Sequence, residues 1–257
     1  YIYSYGALLR EGKIKSGEEI NVVVPTGNFG NILAAYYAKN MGLPIAKLLC
    51  ASNENKVLFD FFQSGVYDRN REFVLTSSPS MDILISSNLE RLIYKIAGGD
   101  GEKNTALMRE LGSCGKYRIT EEMKKELSEF YGGYATEQET AVRIRTVYEK
   151  TGYVLDTHTA VASAVYEKYR QETGDSRKTV IASTASPFKF TRSVLQAIGT
   201  DCSEADDFVL ADELSRVANV AVPKAVEEIR SAAVIHDHVC EKDGMAKMVC
   251  DFLGIDA

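Results

Sequence analysis

No apolar run in this sequence approaches the length of a membrane span. The longest, Ile32 to Ala38, falls far short of the ~20 residues a transmembrane helix needs. No signal-peptide pattern is visible either. Basic residues are not in excess: 30 Lys and Arg stand against 36 Asp and Glu, a net charge of −6. That argues against a general binder of nucleic acid or anionic membrane, because neither offers an acidic surface anything to neutralise. Cysteine is sparse, scattered and odd in number (Cys50, Cys114, Cys202, Cys240, Cys250). A secreted disulfide framework uses an even, dense set, so a reducing, cytoplasmic setting is the expectation. Gly-x-Gly-x-x-Gly, the P-loop lysine, Gly-x-Ser-x-Gly, His-Glu-x-x-His and paired carboxylates are all missing, which removes the chemistries those patterns carry. One short cluster, His236-Asp237-His238-Val239-Cys240 with Cys250 beyond, has no second ligand pair of zinc-site spacing. It reads as a polar turn between two C-terminal helices, and no metal is expected.

What remains is an ordinary globular composition, 45% apolar and 26% charged over 257 residues. A chain of this length buries a full core as one large domain or two small ones. It opens on Tyr1-Ile2-Tyr3-Ser4-Tyr5 without methionine and is read as a fragment. Short β-branched runs alternate with helix-length amphipathic segments, the pattern of an α/β fold with a mainly parallel sheet. Strands are expected at 20–24, 47–51, 72–75 and 178–182, with 153–155 a short strand or an extended entry to a helix near His158. Helices are expected from about Asn31 to Gly42, over 56–63 with Asn53 or Asn55 as cap, and over 85–96. Between 102 and 151 strand signals vanish, and an all-helical insertion on the sheet's rim is expected. Thr120 and Thr136 are N-caps there, the latter in a capping box with Glu139. The tail, 205–257, reads as helical with a break at Pro223.

Two strand ends carry the chemistry. Pro25-Thr26-Gly27-Asn28-Phe29-Gly30-Asn31 joins a buried strand to a helix. Its glycines permit close backbone approach, and the free N–H groups of the helix start suit a phosphate. Taken alone, the loop reads equally well as an empty turn. Ser183-Thr184-Ala185-Ser186-Pro187-Phe188-Lys189-Phe190 follows another strand, where ligands of open α/β sheets bind. Thr184 there offers a neutral hydrogen-bonding group to a cofactor ring, or the hydroxyls merely cap the helix at Pro187. Lys189 reads as solvated. Asp156-Thr157-His158-Thr159 reads as an acid/base histidine or as a routine N-cap, and the polar run Ser80 to Arg91 as crevice lining or a cap.

The stretch Val22 to Lys39 around Pro-Thr-Gly-Asn-Phe-Gly-Asn resembles bacterial threonine synthase. So do Cys50-Ala-Ser-Asn-Glu-Asn55, Ser80-Met-Asp-Ile, Ser86-Ser-Asn-Leu-Glu-Arg91, Asp156-Thr-His-Thr-Ala-Val161 and Ser183-Thr-Ala-Ser-Pro-Phe-Lys-Phe190, in family order. The resemblance implies a three-layer αβα fold, the large-domain portion of a fold-type II pyridoxal-phosphate enzyme. It implies a lyase of threonine biosynthesis that turns O-phospho-L-homoserine and water into L-threonine and phosphate. Carried over, Gly27, Asn28, Phe29, Gly30 and Asn31 form the cofactor-phosphate loop, and Thr184 faces the pyridine nitrogen. The family often has His where this chain has Ser186. The family's Schiff-base lysine, in a phenylalanine-flanked motif, does not occur here. The expectation is therefore a C-terminal part of the cofactor domain over 1–257, inactive alone, lacking the N-terminal domain and self-associating through the surface that domain covers. Threonine dehydratase and a non-catalytic phosphate-ligand module are the alternatives.

Overall fold

The computed structural model describes residues 1–202 and 206–256. The chain divides into two units, Tyr1–Val220 and Ala221–Ala257. After the helix α1 (Ile2–Arg10), every residue of β1 (Ile20–Pro25) is buried. A β-branched run buried on both faces belongs in the middle of a parallel sheet. β1 pairs in parallel with β2 (Ile45–Ser52) on one side and with β6 (Thr179–Ile181) on the other. β2 pairs in parallel with β5 (Phe130–Tyr134), which gives the order β5-β2-β1-β6.

Alternation along the strands separates the layers. Val22, Val24, Leu48 and Cys50 pack with Ile32 and Leu33 of α2 (Gly30–Asn40) and with Leu58 and Phe61 of α3 (Val57–Ser64). Val23, Leu49 and Ala51 face the other way, onto Val161, Ala162 and Val165 of α8 (Thr157–Thr173). The fold is thus three-layer αβα with a parallel sheet, as expected. A third cluster joins α7 (Glu137–Thr151), α8, α9 (Thr191–Ala197) and α10 (Asp207–Ala218) through Ile144, Ala160, Val194, Leu195, Leu210 and Leu214.

Three expectations need correction. Residues 72–75 form no strand; β3 lies earlier, at Val66–Asp68, antiparallel to β4 (Lys116–Arg118). The reason is a side chain acting as a strand: Asn55 Oδ1 accepts from Val74 N at 3.0 Å and Asn55 Nδ2 donates to Val74 O at 2.8 Å. The segment 102–151 is not all-helical, because β4 and β5 interrupt α5 (Gly101–Cys114), α6 (Glu121–Lys125) and α7. β5 hides behind Gly132 and Gly133, residues that lower strand propensity. They are there for close packing: a Cβ on Gly132 would lie 2.8 Å from Phe62 Cβ, and one on Gly133 2.5 Å from Val165 Cγ1. Finally, α4 (Leu89–Ile96) starts four residues after Ile85, since 85–88 are committed to the loop described below.

The caps at Thr120 and Thr136, with the Glu139 capping box, form as read. Residues 153–155 are an extended entry to α8, and Pro187 opens a single 3-10 turn. Of the tail, residues 203–205 lie outside the described residues and α10 packs in the first unit. The second unit holds α11 (Lys224–Arg230) and α12 (Met245–Leu253), with His236 to Cys240 in irregular chain between them.

Candidate functional site

The turn from β1 into α2 is built so that the carbonyls of Gly27 and Asn28 are held by residues 86–88 while the N–H groups that follow are left without an acceptor among the described residues. Thr26 N donates to Ala51 O at 2.8 Å, which fixes the strand exit beside β2. Gly27 O then accepts from Ser86 Oγ at 2.7 Å, and Asn28 O from Asn88 Nδ2 at 2.8 Å and Asn88 N at 3.1 Å. Among the described residues, no acceptor meets the N–H groups of residues 27 to 32. Phe29 holds the turn in the left-handed region at φ 63°, a conformation unfavourable for a residue with a side chain. Its ring offsets that cost by burial between Phe62 and Phe130, at 6.2 and 5.9 Å. Gly27 is required by space: a Cβ there would sit 2.7 Å from Ser80 O. The Tyr1 hydroxyl donates to Asn31 Oδ1, which leaves the Asn31 NH2 as the free end of that amide.

β6 is hydrogen-bonded to β1, and Ala182 N continues the ladder to Val23 O at 2.9 Å. The two strands therefore release their loops side by side, which sets Ser183 and Thr184 next to the 25–31 turn. Thr184 is exposed. Ser183 Oγ lies 3.2 Å from Thr159 Oγ1, whose own proton goes to Asp156 Oδ2. Asp156 is the N-cap of α8, accepting from His158 N and Thr159 N. The cap reading of this motif is thus met. His158 is buried against Phe190, ring centroids 4.8 Å apart. Burial pushes its pKa below the ordinary value, and among the described residues its Nε2 has no partner.

The sequence profile described as "Threonine synthase, C-terminal" matches residues 159–239. Mouse "Threonine synthase-like 1" is 46% identical over 198 residues, 76% of this chain and 26% of that protein. Yeast (Saccharomyces cerevisiae) threonine synthase is 37% identical over 236 residues, 86% of this chain and 45% of that protein. Among solved structures, pyridoxal-phosphate-bound threonine synthase from Brucella melitensis superposes with a TM-score of 0.72 at 36% identity, covering 86% of this chain and 45% of that one. Yeast threonine synthase gives 0.83 at 31% identity, covering 98% and 50%. Over most of its own length this chain is therefore similar to threonine synthases and threonine synthase-like proteins. It spans between a quarter and a half of the length of these relatives.

Beside the strand ends, this threonine synthase homologue carries a polar knot that its sequence pattern discloses only in part. Asp82 Oδ1 accepts from Asn53 Nδ2 at 2.7 Å, Asn55 Nδ2 at 3.0 Å and Thr76 Oγ1 at 2.7 Å. Asn53 and Asn55 are not caps of α3; that position is Lys56, left-handed at φ 40° and without a side-chain cap. The signal available was the repeat Asn53-x-Asn55 at a strand end, where two buried amides require partners. A hollow of about 450 Å³ opens between α7, α8 and α9, lined by Ser77, Arg145, Thr157 and Gln196. None of residues 27–31 or 184 lines it; Asn28, Gly30, Asn31 and Thr184 are exposed, so the loop site is an open shelf.

Proposed function

We propose that this chain forms the cofactor shelf of a threonine synthase, which converts O-phospho-L-homoserine and water to L-threonine and phosphate. The observation that carries the reading is the row of unmet N–H groups over 27–32, with the carbonyls of Gly27 and Asn28 tied behind it. Backbone N–H groups at a helix start, without a competing side chain at Gly27 or Gly30, fit a phosphate dianion. The relative from Brucella melitensis holds pyridoxal phosphate. In this chain Gly27, Asn28, Phe29, Gly30 and Asn31 would hold the phosphate of that cofactor. Thr184 would offer its hydroxyl to the ring nitrogen; unlike a carboxylate, a hydroxyl leaves that nitrogen unprotonated.

Pyridoxal phosphate, when bound, supplies an electron sink for charge developing next to the substrate's amino-bearing carbon. The chain's own contribution is to bind and orient. The 27–31 loop fixes one end of the cofactor, Asn31 adds a side-chain donor, and the ring-facing hydroxyl tempers the sink. Proton transfer at the reacting carbons needs a lysine that this sequence does not offer in the family's motif, so this chain by itself is expected to be inactive.

The test is phosphate release from O-phospho-L-homoserine with added pyridoxal phosphate, by this chain and by one extended to the length of its relatives. Release by the longer chain only is the expected result. Release at full rate by both removes the claim of inactivity, and release by neither overturns the synthase reading. Ammonia release from threonine instead would mark a dehydratase. A second reading, a phosphate-ligand binding module without turnover, is favoured by one observation. Identity is higher to proteins named threonine synthase-like 1, at 43–46%, than to yeast threonine synthase, at 37%.

A further inference from the structure

We propose that Ser86 and Asn88 are positioning residues that aim the 27–31 loop at its anion, and that buried Tyr67 anchors them. The inference rests on reading that loop as the phosphate site. In a trans peptide the carbonyl of one residue and the N–H of the next point in opposite directions. The Ser86 hydroxyl, by holding Gly27 O at 2.7 Å, therefore turns the Asn28 N–H outward. Asn88, by holding Asn28 O through both its backbone N–H and its amide, does the same for the Phe29 N–H.

Asn88 forgoes its ordinary use in order to do this. It occupies the N-cap of α4, a position where asparagine normally accepts from its own helix. Here its side chain makes no cap bond and donates instead to Asn28 O. Gly30 leaves room for that amide, since a Cβ there would sit 3.3 Å from Asn88 Nδ2. The clamp is fixed from behind. Ser86 N donates to Tyr67 Oη at 2.7 Å, and the Tyr67 hydroxyl donates to Leu84 O at 3.0 Å. Tyr67 is buried and stacks on Tyr117 across the β3–β4 pair, centroids 5.4 Å apart and planes 5° apart. The small two-stranded sheet thereby holds residues 84–88 in register with the loop.

The experiment titrates the full chain with pyridoxal 5′-phosphate and, separately, with pyridoxal, which shares the ring and lacks the phosphate. Ser86→Ala and Asn88→Ala should each weaken the phosphorylated ligand about tenfold, the loss expected for one hydrogen bond to an aimed polar group, and leave pyridoxal within about twofold. Ser86→Thr keeps the hydroxyl and should restore the unaltered affinity. Tyr67→Phe, which removes the anchoring hydroxyl outside the loop, should follow Ser86→Ala. Unchanged affinity for the phosphorylated ligand in the alanine variants overturns the clamp, as does an equal loss for both ligands. If the unaltered chain does not prefer the phosphorylated ligand over pyridoxal, the phosphate-loop reading itself fails, whatever the variants do.

Discussion

Gly27 shows how little freedom a ligand-cradling loop has at the level of one residue. A single methyl there would meet the backbone oxygen of Ser80 at 2.7 Å, and a backbone atom cannot swing aside as a side chain can. Gly27→Ala is expected to cost about 1–3 kcal/mol, the usual range for an overpacked site. It should also push the 80–82 segment away from the loop. Urea denaturation gives the first quantity, and a phosphate titration should show binding lost beyond what the stability change explains. His158 makes a different prediction at the same scale. Burial holds its pKa below the ordinary 6.5, against the pull of Asp156 and with a push from Lys189. The folded chain therefore keeps the ring neutral where the unfolded chain protonates it. Stability must fall as pH drops from about 6.5 toward the folded value, because the unfolded state binds the extra proton there. His158→Gln should flatten that slope; an unchanged slope would place the pH dependence elsewhere. The Gly-Asn-Phe-Gly-Asn loop was legible in the sequence because its glycines and its place after a buried strand are local features. The partners of its carbonyls were not, since Ser86 and Asn88 lie some sixty residues away, in a polar run that reads as crevice lining or a cap.

At the scale of elements the same division holds. β1, β2, β6, α2 and α8 follow from runs of β-branched or amphipathic sequence, each long enough to declare its own period. β5 did not declare itself, because two of its five residues are glycine. What selects those glycines is tertiary. Gly132 faces Phe62 of α3 on one side of the sheet, and Gly133 faces Val165 of α8 on the other. Asn55 hid the absence of a strand at 72–75 by an analogous device, supplying from a side chain the two hydrogen bonds a neighbouring strand would have given Val74. The packing argument predicts that Gly133→Ala destabilises the chain by about 1–3 kcal/mol through its clash with Val165 Cγ1. Val165→Ala alone should cost a comparable amount by opening a cavity. Combined, the two should cost less than their sum, because the smaller residue removes the clash. Chemical denaturation of the four proteins checks this, and strict additivity would show that Gly133 is not there to admit Val165.

For the molecule as a whole, the decisive fact is that the sheet has an uncovered margin. β6 pairs with β1 on one side, and among the described residues no strand lies on its other side. Thr179, Val180 and Ile181 are each partly exposed there, in a strand with no charged residue to blunt it. Within the same unit Ile2, Tyr3, Phe73 and Leu75 are half or more exposed, large apolar groups of the kind a folded protein normally covers by contact. Both features fit a chain that spans no more than half of the threonine synthases it matches. Its net charge of −6 opposes association only weakly once salt screens it, since the Debye length is already ~8 Å at physiological ionic strength. The prediction is self-association that rises with protein concentration, grows stronger at high salt, and disappears when the chain is extended to the length of its relatives. Light scattering across a concentration series at low and high salt measures it. A constant monomer mass under both conditions would mean that the β6 edge and the apolar groups are protected within this chain alone. The site would then have to work as an open shelf with no second half to close over it, which is what the binding-module reading requires.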